Sequence, residues 1–135
     1  MILGISHLTF LVKDLDRATL FFTRMLDARL IYSSGGDTFS IARERFFLAS
    51  GVWIAAMEGE TRRERTYDHA AFQVRPEDLD EYQRRACELG LEVRPPRPRV
   101  EGEGRSLYVY DFDGHLFELH AGTLEERLAR YRRKP

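Results

Sequence analysis

The sequence predicts an α+β fold built from two βαβββ repeats. Three observations lead there. "HLTFLV" from His7 and "HAAFQV" from His69 share His, Phe and Val at the same spacing, 62 residues apart. "SGVWIAAMEG" (Ser50–Gly59) matches "DGHLFELHAG" (Asp113–Gly122) at an offset of 63, with Ala55 opposite Glu118. Between these anchors the order strand, helix, strands, polar linker occurs and then begins again.

In the first half, Ile5–Val12 alternates as a strand. Asp14 is placed to cap a helix whose apolar stripe is Leu15, Ala18, Phe21, Phe22, Met25 and Leu26. Strand-like runs follow at Leu30–Ser33, Thr38–Arg43, Arg45–Leu48 and Trp53–Met57, separated by turn signals at Ser34–Asp37 and Ser50-Gly51. Glu58–Thr66 is polar and reads as a linker. In the second half Tyr67–Val74 is a strand. Pro76 opens a helix with the stripe Leu79, Tyr82, Ala86 and Leu89, and Gly90 ends it. Arg94–Gly104, "RPPRPRVEGEG", is a loop. Arg105–Phe112 and His115–His120 form a hairpin across Asp113-Gly114, and Thr123 caps a final basic helix, Leu124–Arg133.

The 135 residues suffice for one domain made of two small repeats: repeat one at about 1–60, repeat two at about 66–122 and a C-terminal helix at 123–133. A composition of 43% hydrophobic and 32% charged residues is that of a soluble globular chain. The net charge of -1 argues against nucleic acid or an anionic membrane as partner. No apolar run is long enough to span a bilayer, and no signal peptide is visible, so the cytoplasm is the expected location. The single Cys87 allows no internal disulfide and no thiolate metal cluster; it is expected to be a small, partly buried helix residue.

The repeat changes how the histidines are weighed. A lone histidine on an apolar strand is more often a satisfied core residue than a ligand. His7 and His69, however, hold the same position in two pseudo-symmetric halves, and a pseudo-twofold axis brings such positions together. Glu118 lies on the last strand of the second half. Alternation puts it on one face with Leu116 and His120. If that face is inward, the carboxylate must be paired or bound to a metal; if outward, it needs no explanation. Two imidazoles and a carboxylate suit a divalent metal with open positions. His115 is on the other face and His120 at the strand end, so both are weaker candidates. Glu44, between two arginines, reads on composition as a solvated strand end.

The repeated unit, with "SHLTF" at His7, "YDHAAF" around His69 and "FDGHLFELHAG" around Glu118, resembles the glyoxalase or vicinal oxygen chelate superfamily. Within it the chain is most similar to the fosfomycin resistance proteins, and among these to the epoxide hydrolase (FosX) type. The resemblance covers essentially the whole chain. It implies the glyoxalase fold paired in a homodimer, with each site shared: His7 from one chain, His69 and Glu118 from its partner. It implies a divalent metal on these three residues, usually manganese(II). Thr9, Trp53, Tyr67, Ser106, Tyr108 and Arg127 match positions lining the fosfomycin pocket, with Arg127 and Ser106 as phosphonate contacts. Glu44 matches the general base of the hydrolase type, which the thiol-transferase types lack. Where the glutathione type has a lysine-bearing, serine-rich loop, this chain has "RPRVEGEGRS", with Pro98 and Gly102 at two of those positions. Arg97 or Arg99 stands as a replacement for the lysine, and dependence on a monovalent cation is put in doubt.

The implied reaction is metal-dependent hydrolysis of the fosfomycin epoxide to 1,2-dihydroxypropylphosphonate, which confers antibiotic resistance. Two other readings keep the fold: a thiol transferase or a phosphonate-breakdown enzyme with incidental fosfomycin activity, and a metal-free drug-binding protein.

Overall fold

A computed structural model describes residues 1–61 and 64–133. Arg62 and Arg63 of the expected linker, and Lys134 and Pro135, lie outside the described residues. The chain divides into two units, Met1–Glu64 and Arg65–Pro135.

The first unit runs β1 (His7–Val12), α1 (Leu15–Leu20) with a wider π turn at Phe21–Met25, β2 (Arg29–Ser33), β3 (Glu44–Ala49) and β4 (Val52–Glu58). The sheet order is β1-β4-β3-β2, with β1 parallel to β4 and the other pairs antiparallel. Asp14 starts the helix as expected: its Oδ1 accepts from the backbone N–H of Asp16 at 2.8 Å and of Arg17 at 3.2 Å. Phe21, Phe22 and Met25 are then fully buried with Val12, Phe47 and Ile54. The Phe22 and Phe47 rings sit 5.1 Å apart. Each such burial contributes about 1.5–3 kcal/mol. Arg45 ties β3 to the helix, donating to Leu15 O at 3.1 Å and Thr19 Oγ1 at 2.8 Å and pairing with Asp16 at 2.9 Å.

The second unit repeats the plan: β5 (His69–Gln73), a 3₁₀ turn (Pro76–Asp78), α2 (Leu79–Glu88), β6 (Val93–Arg94), β7 (Arg105–Tyr110), β8 (Leu116–Ala121) and α3 (Leu124–Tyr131). Its order is β5-β8-β7-β6, again with the first pair parallel. Gly90, at φ +68°, ends α2: its N–H reaches Cys87 O at 3.1 Å and the N–H of Leu91 reaches Ala86 O at 2.9 Å. Thr123 caps α3 by accepting from the N–H of Glu126 at 3.1 Å.

The ladder registers agree with the repeat. His7 faces Trp53 and Thr9 faces Ala55 in the first unit; His69 faces Leu116 and Ala71 faces Glu118 in the second. Ala55 thus holds in one sheet the place that Glu118 holds in the other.

Some expectations are corrected. Thr38–Arg43 is not a strand. Ser34 closes the β2–β3 ladder directly onto Glu44, N–H to O at 3.0 Å, and leaves the intervening residues without a strand partner. Phe39 and Ile41 within them are exposed. Cys87 is exposed, because the buried stripe of α2 runs through Leu79 and Ala86. The short β6 went unforeseen; two residues carry too little alternation to be read. The β1 and β5 strands start at their histidines, later than expected, and β8 begins at Leu116, leaving His115 in the turn.

The loop before β7 lies against the end of β8. Gly104 has φ +81°, and a Cβ there would stand 2.4 Å from Ala121 O. Gly104→Ala is therefore expected to destabilise the protein by roughly 2 kcal/mol or more in urea unfolding. Gly35→Ala, also left-handed at φ +61° but with open space around it, is expected to cost only about 1 kcal/mol.

Candidate active site

One face of each sheet packs on its helix, and the other carries the polar side chains. In the first unit the register puts His7, Thr9, Trp53, Glu44 and Phe46 on the face away from α1. His7 stacks on Trp53 with ring centroids 4.2 Å apart, and its Nδ1 is 3.0 Å from Ser6 Oγ. Phe46 meets Trp53 edge-on at 5.1 Å. Glu44 is half-buried at the first position of β3, one same-face row beyond Thr9. Its backbone is clasped on both sides by Ser34, whose Oγ accepts from its N–H at 2.9 Å and whose N–H donates to its carbonyl.

In the second unit the equivalent face gathers His69, Glu118, His120, Ser106, Tyr108 and Tyr110. Glu118 is 5% exposed, so the inward alternative holds and the carboxylate needs partners. Its Oε2 accepts from Ser106 Oγ at 2.5 Å and from Arg99 Nη2 at 3.4 Å. Its Oε1 lies 3.0 Å from His69 Nε2. Arg99 Nη2 also donates to Ser106 Oγ and Tyr108 OH, each at 2.9 Å. His120 Nδ1 is 2.6 Å from Ser106 Oγ, and Arg127 Nη2 is 3.2 Å from His120 Nε2. Tyr67 donates to Tyr108 OH at 3.1 Å, while Arg94 lies over the Tyr67 ring at 5.0 Å.

Burial alone pushes the Glu118 carboxyl up. The Ser106 hydrogen bond and the nearby His120, His69 and Arg99 outweigh it, and the net direction is down. Burial, the Tyr67 hydrogen bond and the Glu118 charge push the Tyr108 phenol up to about 12, so it stays protonated. Burial and the cations Arg127 and Arg99 move His120 down, against the pull of Glu118.

The His69–Glu118 contact suits a cation. A carbonyl can only accept, so His69 Nδ1 donates its proton to Tyr67 O, 2.6 Å away. In the neutral ring Nε2 then presents a lone pair to a carboxylate oxygen at 3.0 Å. Two lone pairs at that distance repel unless a proton or metal ion lies beside both. With metal–ligand bonds of about 2.1 Å, two ligands at a right angle stand about 3 Å apart. The donor set, imidazole and carboxylate, fits a divalent ion. Among the described residues no three His, Cys, Asp or Glu side chains form a metal cage within the chain.

Of the residues singled out in the sequence, His69, Glu118, Ser106, Tyr108, Tyr67 and Arg127 come together in the second unit. His7, Thr9, Trp53 and Glu44 share a face in the first. Sequence reasoning undervalued His120, whose position on the Glu118 face was the available signal. It also left Arg97 and Arg99 equal. Arg99 donates to Ser106 and Tyr108 within the cluster, whereas Arg97 is bound first to Glu103, at 2.5 Å, and touches the cluster only through Tyr108. His115 is held by Asp111, with Nδ1 2.7 Å from Oδ2, in the turn outside the cluster.

Residues 4–119 match the Glyoxalase/Bleomycin resistance protein/Dioxygenase superfamily. The chain belongs to this superfamily. It is 60% identical to the fosfomycin resistance protein FosX of Listeria innocua over 97% of this chain and 98% of that one. It is 36% identical to the metallothiol transferase FosB of Shouchella clausii over 97% of this chain and 88% of that one. Among solved structures it resembles a Glu-to-Gln mutant of FosX from Listeria monocytogenes complexed with Mn(II) and 1S,2S-dihydroxypropylphosphonic acid. The TM-score is 0.90 at 56% identity, covering 98% of this chain and all of that one. The superfamily's two-repeat plan is the one that the internal repeat predicts.

His69→Ala and Glu118→Ala are each expected to weaken binding of a divalent cation by more than about 100-fold, beyond what outer-shell changes produce. Calorimetric titration measures it, with circular dichroism checking the fold. Unchanged affinity in either variant returns that residue to a purely structural pair.

Proposed function

We propose that this protein adds water to the epoxide of fosfomycin, forming 1,2-dihydroxypropylphosphonate, and so confers fosfomycin resistance. The observation that carries the reading is the His69–Glu118 pair, set for a cation among Ser106, Arg99 and Arg127. It occurs in a chain 60% identical to a FosX protein over nearly its full length. Fosfomycin presents the two features such a site needs: a strained ring oxygen and a phosphonate dianion.

His69 and Glu118, with His7 as third ligand, would hold Mn(II), which when bound supplies Lewis-acid stabilisation of the alkoxide that develops as the ring opens. Arg127 grips the phosphonate, because a guanidinium fork matches that anion. Arg99 adds a further donor: its Nε is buried without a hydrogen-bond partner among the described residues, while its Nη1 faces Glu103 Oε2 at 3.8 Å. In this reading Arg99, not Arg97, takes the place of the lysine of the glutathione type. Ser106 orients Glu118 at the phosphonate end, and Thr9, Trp53, Tyr67 and Tyr108 line the rest of the pocket. Glu44 takes a proton from the water that attacks the carbon bearing phosphorus, opposite the departing oxygen. The Ser34 clasp holds its backbone for that task.

The same reading makes the protein a homodimer in which His7 of one chain completes the His69 and Glu118 site of the other. An open catalytic site takes three protein ligands. His7 is the repeat partner of His69, and the first repeat offers Ala55 where the second has Glu118. The two units then work as one functional domain over 1–135. No described helix is long and apolar enough to cross a membrane. The proposal places the enzyme in the cytoplasm, where a chain with one free cysteine is at home.

The test is phosphorus NMR of fosfomycin with protein and Mn(II) but no thiol. The diol is expected. Turnover only on adding thiol would assign the chain to thiol transfer, the chemistry for which FosB is named. Glu44→Gln is expected to lower kcat for hydration by about 10²–10⁴-fold while Mn(II) binding is retained. Hydration at the wild-type rate would remove Glu44 from the mechanism.

Mixing inactive His7→Ala and Glu118→Ala chains is expected to restore part of the activity, since one of the two shared sites in a mixed dimer is intact. Sedimentation should show a dimer, and a fully active monomer would overturn the shared site.

A further inference from the structure

We propose that His120 is a positioning residue that couples the anion grip of Arg127 to the metal ligand Glu118 through the hydroxyl of Ser106. The inference rests on the reading above, in which Arg127 and Glu118 hold those roles.

The hydrogen-bond directions follow from what each group is able to do. A guanidinium only donates. Arg127 Nη2 therefore donates to His120 Nε2, 3.2 Å away. In the neutral ring the proton is then on Nδ1, which donates to Ser106 Oγ at 2.6 Å. Arg99 Nη2 donates to the same oxygen at 2.9 Å. Both lone pairs of the hydroxyl are taken, so its own proton goes to Glu118 Oε2, 2.5 Å away. The opposite tautomer would set two donors against each other at Nε2.

Space is kept for this arrangement. The His120 side chain is 14% exposed. A Cβ on Gly122 would lie 2.8 Å from His120 Nε2, so glycine leaves room for the ring. The relay has two consequences. Arg127 is held through one nitrogen, which orients the rest of its fork for an anion. Ser106 holds Oε2 of Glu118, which leaves Oε1 toward His69. His120 Nδ1 also lies 3.3 Å from Glu118 Oε2, so the ring reaches the carboxylate directly as well as through Ser106.

Two substitutions divide the relay. In His120→Asn the amide occupies the Nδ1 position and donates to Ser106, but falls short of Arg127. In His120→Gln the amide oxygen occupies the Nε2 position and accepts from Arg127, leaving Ser106 without its donor. The readouts are inorganic phosphate binding by calorimetry and Mn(II) binding by electron paramagnetic resonance, with melting temperatures alongside. His120→Asn is expected to weaken phosphate binding about tenfold and leave Mn(II) binding within about twofold. His120→Gln is expected to weaken Mn(II) binding about tenfold and leave phosphate binding within about twofold. Loss of both in both variants, or of neither, overturns the relay, because a merely structural histidine would not separate the two ligands.

Nitrogen-15 NMR of histidine in the metal-free wild-type protein gives an independent check. A protonated Nδ1 and a bare Nε2 are expected at His120. A proton on Nε2 overturns the relay even if the variants fail to fold. Wild-type protein that binds neither ligand overturns the site reading and this inference with it. Wild-type protein that binds both and makes no diol sinks the hydrolase reading alone, and the binding split still decides the relay.

Discussion

A carboxylate buried on the face of a β-sheet costs several kcal/mol unless its oxygens are matched by donors or cations. Glu118 imposes that requirement, and much of the second unit is arranged to meet it. Ser106 comes from the neighbouring strand, one row away. Tyr108, directly opposite, is turned to share Arg99. Arg99 comes from the preceding loop, whose shape depends on another buried carboxylate. Glu103 receives Arg97 and the N–H of Val100 at 2.9 Å, and these partners hold it down to about 2. His69 arrives from the parallel strand β5. A single buried charge thus organises three strands and a loop.

The first unit has the same ladder without that requirement. Thr9 faces Ala55 where Ala71 faces Glu118. Its face away from the helix is accordingly mainly aromatic, with Tyr32, Phe46 and Trp53 in ring contact and Glu44 at its edge. Its stability comes from the other face, where Phe22 and Phe47 meet. The duplicated plan therefore supports a division of labour. One sheet carries the carboxylate and its cations. The other carries His7, an aromatic wall and Glu44, whose strand is tied to the helix through Arg45.

The same asymmetry explains why the chemistry of the site is directional. Arg99, Arg127, Ser106 and His120 lie on the Oε2 side of Glu118, and His69 lies on the Oε1 side. In the proposed reading an anion and a cation take adjacent places there, as a substrate with a phosphonate next to a reactive oxygen demands.

Much of this was determined by the sequence itself. Period-two alternation assigns each strand residue to a face, and the repeat offsets equate positions of the two halves, so the sequence alone sets Ala55 against Glu118. Asp14, Gly90 and Thr123 marked helix ends through local chemistry that needs no distant partner. Only the tertiary structure decided what depends on contacts far apart in the chain. Thr38–Arg43 alternates like a strand yet has no strand to pair with, because Ser34 closes onto Glu44. Arg97 and Arg99 are equivalent in composition, but Glu103 binds Arg97 closely and faces Arg99 only at 3.8 Å, and Arg99 alone donates to the Ser106 hydroxyl. His120 looked marginal at a strand end until α3 brought Arg127 to it. Hydrogen-bond direction and tautomer are set by whichever donors arrive within about 3 Å, and one-dimensional spacing holds no record of that distance.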